Sequence, residues 1–327
     1  MDNRHDGLDT VRALACIMVV AIHTAAPLVV AGPDAQGWAA ANALDGAARW
    51  AVPVFFMLTG WAYLGDRAPR TKAFAKMFAA LLFYTVLALL ARMVQTPGLP
   101  SLDFLWREPA FYHLWYFYVA LAVYGTLALV RLRADTPRGI VWAVLAAPLV
   151  FNPQLPFLVG GGETGNLMQL GKGYGLYVVY AFVDGGLALA WPNEGRWRGP
   201  LAVCTAMIGV GWTIAATHGS SIEAGAFVNT HYGYGSLGPM LAAYGVFLWG
   251  LTTPRMPESF TSFVRIIAKR SLAVYGLHPF VLVAIGMIHP LRDLDAGGLV
   301  LAWLVTLGAS LMAAGILIRI DRGRWVS

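Results

Sequence analysis

Long apolar blocks, each near the length that crosses a bilayer, decide what this chain can become. A transmembrane helix needs about 20 predominantly apolar residues, and blocks of that kind follow one another from Asp9 to Arg319. Runs such as 14–30 do not alternate in polarity, which argues against a transmembrane β-barrel, whose strands alternate over about ten residues. Charged side chains make up 12% and hydrophobic ones 58%, whereas soluble domains carry about a quarter charged residues. Disorder, coiled coil and a small disulfide scaffold are excluded on the same grounds. The expected fold class is all-α: a polytopic integral membrane protein of about ten transmembrane helices. The spans are expected at 9–30, 44–64, 73–94, 112–131, 138–151, 172–191, 199–217, 233–251, 270–289 and 298–319. No segment is polar enough for a separate soluble domain and no internal repeat is visible, so 1–327 reads as a single transmembrane domain. The first block lacks a small-residue cleavage site and is expected to stay in the mature chain.

The net charge of +6 is explained by topology rather than by nucleic acid. With the N-terminus in the cytoplasm and ten alternating spans, 17 of the 23 basic residues fall on the cytoplasmic side and three, Arg107, Lys172 and Arg292, on the other. That is a positive-inside distribution, and it predicts both termini in the cytoplasm. Cys16 and Cys204 both lie in apolar blocks and suggest neither a disulfide nor a metal cluster. No His, Cys or acidic cluster has convincing metal-ligand spacing, so no metal is expected.

Ionisable residues inside spans are costly and therefore point to function. Arg12 and His23 share the first span, 11 residues apart. On a helix that is three turns plus about 20°, so both face the same way, separated by about 16 Å along the axis. Pro27 follows His23 by one turn and is expected to end or kink the helix. Snorkelling of Arg12 and a carbonyl bond for His23 would be the structural alternative. His113 opens the fourth span in Tyr112-His113-Leu114-Trp115-Tyr116, and His278 is deep in the ninth. Arg49 precedes a Pro53-containing stretch, and Asp184 interrupts the sixth span and is a candidate partner for an arginine.

Four stretches carry a resemblance. Leu8-Asp9-Thr10-Val11-Arg12 followed by His23 resembles the opening motif of the membrane acyltransferase-3 family, an arginine and a histidine separated by ten residues. Pro53-Val54-Phe55-Phe56-Met57-Leu58-Thr59-Gly60 is similar to its Pro-x-Phe-Phe-x-x-Ser-Gly stretch, with Thr59 in place of serine. His113-Leu114-Trp115 resembles its His-Leu-Trp motif, and Ser271 to His278 its late Ser-x-x-x-Tyr-x-x-His stretch. The pieces occur in family order across nearly the whole chain. The size and the Arg49–Pro53 run look most like the stand-alone O-acetyltransferases of surface polysaccharides, such as the enterobacterial common antigen type.

The resemblance implies transfer of an acyl group, usually acetyl from acetyl-CoA as cosubstrate, to a hydroxyl of a sugar or lipid-linked glycan. It implies a multi-pass protein of the bacterial inner membrane, with membrane lipid as a further partner. Such chemistry needs a base near neutral pH, a role histidine fills, and cationic contacts for CoA phosphates at the cytoplasmic mouth. His23 is therefore expected as general base and Arg12 as the CoA contact, with His113 activating the acceptor. Tyr275 and His278 are expected along the acyl-CoA tunnel, and Arg49, Trp115 and Thr59 in acceptor binding. There is no Gly-x-Ser-x-Gly elbow. The competing class is a proton-coupled transporter or flippase, for which buried histidines and Gly/Pro-broken spans are also suited.

Overall fold

The computed structural model describes residues 6–64, 68–95, 108–131, 133, 135–150, 174–190, 196–253 and 257–327. Arg4, Arg67, Arg107, Lys172, Arg255, the side chain of Asp184 and the Gly/Pro-rich loop 152–171 lie outside the described residues. Among those described, the chain is helical with no strand. The helices are α1 (Asp6–Ala31), α2 (Trp38–Ala48), α3 (Ala51–Tyr63), α4 (Thr71–Gln95), α5 (Trp115–Leu129), α6 (Arg138–Val150), α7 (Tyr174–Ala190), α8 (Arg198–Ala224), α9 (Leu237–Thr252), α10 (Glu258–Ile288) and α11 (Ala296–Ile320). A 3₁₀ turn, Tyr112–Leu114, leads into α5.

Five of them, α1, α4, α8, α10 and α11, are long and apolar enough to cross a membrane. α4 turns Phe78, Leu82, Val86 and Leu90 outward, each at least half exposed. Their spacing of four places them on one stripe, the face such a helix presents to lipid. α1 differs: 61% of its most apolar stretch is buried, against 17–39% for the other four. It packs against α2, α3, α9, α10 and α11, so the helix carrying Arg12 and His23 is the axis of the bundle.

Two prolines bear on the expected spans, with opposite outcomes. The helix expected over 44–64 is two helices, α2 and α3, joined at Arg49 and Trp50. Pro53 cannot donate to the carbonyl four residues back, that of Arg49. Both joining residues keep right-handed helical dihedrals, so the chain bends rather than loops. In α1, Pro27 does not end the helix, which continues to Ala31. The buried side chains around it, Leu28 and Val29, hold the last turn in place.

Close helix contacts rest on small residues, as expected where lipid removes the hydrophobic incentive to associate. On α8 and α9, a Cβ placed on Gly209 or Gly245 would collide with the backbone of Ala242 or Ala206 respectively. On α3, a Cβ at Gly60 would fall on the Ala181 carbonyl of α7. These approaches draw α3 and α7 together beneath the aromatic lining of the site.

Candidate active site

His23, on α1, and His278, on α10, are 255 residues apart in sequence and in direct contact. His23 Nδ1 lies 2.6 Å from His278 Nε2, and the two rings are nearly parallel, 14° apart. His278 is fully buried, whereas His23 keeps partial exposure. The other ring nitrogen of His278 is 3.0 Å from the Val274 carbonyl.

That last contact fixes the protons when both rings are neutral. A carbonyl only accepts, so His278 Nδ1 donates to Val274. Its Nε2 is then a lone pair, and His23 Nδ1 must be the donor in the bond between the rings. His23 Nε2 is left as the basic nitrogen, on the ring that is not sealed off. The tautomers follow from this hydrogen-bond chain.

His113 joins the pair from the 3₁₀ turn before α5. Its ring centroid is 5.9 Å from that of His278 and it is fully buried. The Tyr275 hydroxyl donates to the His113 carbonyl at 2.5 Å, which ties the turn to α10. Neither His113 ring nitrogen makes a hydrogen bond of normal geometry among the described residues; the Gly276 backbone is an electrostatic neighbour. Tyr112 meets His23 edge-on at 5.0 Å, and Phe111 stacks on Phe280 at 5.7 Å. Thus three histidines singled out separately in the sequence form one cluster, roofed by aromatic rings.

Toward the N-terminal end of α1 the cluster continues as an aromatic wall. Tyr275 packs on Tyr116 at 5.1 Å, and Tyr116 on Phe56 at 5.0 Å. The Arg12 charge acts on both Tyr116 and Tyr124. Tyr116 thus links the two regions, packed on Tyr275 on one side and within the field of Arg12 on the other. Thr59 does not reach them: its hydroxyl donates to the Phe55 carbonyl within its own helix at 2.9 Å.

On the remaining side stand Arg49 and the rings around it. Arg49 Nη2 is 2.6 Å from Asp45 Oδ2, and its guanidinium carbon lies 4.3 Å from the centroid of the Tyr232 ring. Its charge also acts on His23. Trp115 packs against Tyr177 at 5.4 Å and Tyr234 at 6.1 Å. Asp45 is a site residue that reading the sequence missed. Its spacing of four before Arg49, inside an apolar block, is the signal that could have found it.

Among the described residues no group of three or more His, Cys, Asp or Glu side chains is arranged to hold a metal ion. The arrangement offers a neutral imidazole held in one tautomer by its neighbour, within the field of the Arg49 charge.

Among the described residues the chain is an all-helical bundle with five helices long and apolar enough to cross a membrane and a histidine pair at its axis. The family model described as the acyltransferase-3 "Acyltransferase domain" matches residues 5–319, and the chain belongs to that family. No curated protein and no solved structure matches it. The protein is thus a membrane acyltransferase.

Proposed function

We propose that this protein moves an acetyl or other short acyl group from cytoplasmic acyl-CoA to a hydroxyl of a sugar or lipid-linked glycan, with His23 as general base. The observation that carries this reading is the His23–His278–Val274 chain, which leaves His23 Nε2 as a lone pair inside the bundle. The acceptor hydroxyl gives its proton to that nitrogen as its oxygen bonds to the thioester carbonyl carbon. The resulting imidazolium then returns the proton to the departing CoA sulfur as the carbon–sulfur bond breaks. Charge developing on the carbonyl oxygen is best stabilised by fixed donors where water is excluded.

Arg12 would hold CoA phosphate at the cytoplasmic mouth. The pantetheine arm would then follow Tyr116 and Tyr275 across the roughly 16 Å that separates Arg12 from His23 along the helix. Arg49 and Trp115 would face the acceptor, with Thr59 a more distant contributor through its methyl group. In this reading His278, expected along the tunnel, would also orient His23, and His113 would activate the acceptor as expected. The reading includes ten spans in the bacterial inner membrane, one domain over 1–327, both termini in the cytoplasm, and kinship with stand-alone polysaccharide O-acetyltransferases.

The test is incubation of purified protein with radiolabelled acetyl-CoA and a lipid extract, followed by chromatography of the products. Label should pass to lipid or glycan in the native protein. His23→Ala and His23→Gln should lower transfer by about 10²–10⁴-fold, the contribution of a general base. Glutamine keeps hydrogen bonding but cannot take the proton. Native-level transfer by His23→Gln would remove His23 from this role, and absence of transfer from the native protein would favour the transporter class.

A further inference from the structure

The Asp45–Arg49 pair is built with more care than a simple acceptor contact requires. Asp45 is fully buried, and its Oδ1 and the Arg49 Nε have no hydrogen-bond partner among the described residues. The Tyr232 ring beneath the guanidinium is itself tied down, its hydroxyl 2.7 Å from Asn42 Oδ1. The Asn42 amide in turn donates to the Ile214 carbonyl on α8 at 3.1 Å. Carboxylate, cation and ring are thus one rigid assembly drawn from α2, the 225–236 loop and α8.

Exposure separates the two partners. The Asp45 side chain is 0% exposed and the Arg49 side chain 17%. The guanidinium side thus keeps some accessible surface, and the carboxylate has none. Burying an ion pair is not a route to stability in itself, since desolvation offsets the attraction. The Arg49 charge acts on His23, and in the reading above Arg49 faces the acceptor, which gives the pair another purpose.

We propose that Asp45 is a positioning residue that cancels the charge of Arg49, so that the acceptor site takes an uncharged sugar and discriminates against an anionic one. This rests on the acyltransferase reading above. With Asp45 directly behind it, the guanidinium presents oriented N–H donors but no net charge. A sugar hydroxyl can accept from such a donor. A carboxylate or phosphate on the acceptor would meet the guanidinium already neutralised and the Asp45 charge close behind, an arrangement that rejects by repulsion as much as it attracts. The rings of Trp115, Tyr177 and Tyr234, mutually packed nearby, offer the flat apolar face that polar groups alone do not provide.

The experiment compares two acceptors that differ by one charge, octyl glucoside and octyl glucuronide, through kcat/KM for acyl transfer. The native protein should prefer the glucoside. Asp45→Asn keeps the shape and uncovers the Arg49 charge, and should move the ratio toward the glucuronide by about tenfold or more, the scale of one charge in a partly buried site. The change should fall mainly on acceptor KM. A purely structural role for Asp45 would depress both acceptors alike. The double variant Asp45→Asn/Arg49→Gln, uncharged like the native pair, should return the ratio to the native preference and serves where the single variant folds poorly. An unchanged ratio in both variants, or a native preference for the glucuronide, overturns the proposal. Absence of CoA release with every acceptor, water included, defeats the acyltransferase reading instead.

Discussion

Replacing His278 tests the tautomer chain most directly. Its Nε2 is the acceptor for His23 Nδ1 at 2.6 Å, and its Nδ1 is anchored on Val274. His278→Leu fills much of the volume but leaves His23 Nδ1–H facing an apolar wall. The abandoned donor costs about 1–3 kcal/mol, and it is relieved only when His23 shifts its proton or turns its ring, either of which removes the lone pair from Nε2. At 1.36 kcal/mol per tenfold in rate, kcat should fall roughly 5- to 150-fold. His278→Gln places a carbonyl oxygen where Nε2 stood, keeps the acceptor, and should remain within about tenfold of native. The KM for acyl-CoA should change little in either, because the lost interaction matters in the transition state rather than in donor binding. The assay is steady-state release of CoA in detergent, with acyl-CoA binding as the folding control. A Leu variant within threefold of native would show that His278 does not orient His23. A Gln variant as inactive as the Leu variant would show that His278 itself carries the proton.

Arg12→Ala should raise the KM for acyl-CoA with little change in kcat, as expected for a contact made equally in ground and transition states; steady-state kinetics check this. Gly60→Val should lower stability by about 1–3 kcal/mol through overpacking against the Ala181 carbonyl, read as a drop in Tm. At the end of α11, burial works against ionisation of Asp321, but the N–H groups of Trp325, Val326 and Ser327 and the Ser327 hydroxyl outweigh it and hold the carboxyl below its usual value. A depressed value means that ionised Asp321 supports the tail above the unfolded value of about 3.9 and that this support is lost as pH falls through the folded value. Hydrogen-exchange protection of 321–327 should accordingly collapse only in acid, and Asp321→Asn should lack it at every pH.

The parts of this protein legible in its sequence are those encoded by period and depth. Arg12 and His23 share a helix, and spacing alone places them on one face. The pairing of His23 with His278 was not legible, because it depends on how α1 crosses α10, and no local pattern reports the crossing of helices 255 residues apart. His278 therefore reads from sequence as one more lining residue. Asp45 was hidden for a different reason. It stands next to the bend at Arg49 and Trp50, and a window tuned to uninterrupted spans merges α2 and α3 into one helix. Tyr232 and Tyr234 lie in the connection between α8 and α9, astride the start of the span expected at 233–251, and no local pattern hints that Tyr232 folds back onto Arg49.

Three prolines make the placement of the site intelligible. A proline inside a helix withholds the N–H that would bond the carbonyl four residues earlier. Pro27 does this to His23, Pro53 to Arg49 and Pro279 to Tyr275. Each freed carbonyl belongs to a residue at or beside the cluster, and in the membrane such a group must find a partner other than water. The Tyr275 carbonyl and that of Val274 both act on the His278 ring. The Val274 carbonyl holds the His278 proton on Nδ1 when both rings are neutral, and through Nε2 that bond determines which nitrogen of His23 keeps its lone pair. The same spacing at Pro27 places the freed carbonyl on His23 itself, the residue whose ring Tyr112 of the 3₁₀ turn meets. The histidine pair thus stands within about one turn of Pro27 in α1 and of Pro279 in α10, where a carbonyl without its helical N–H needs a partner other than water.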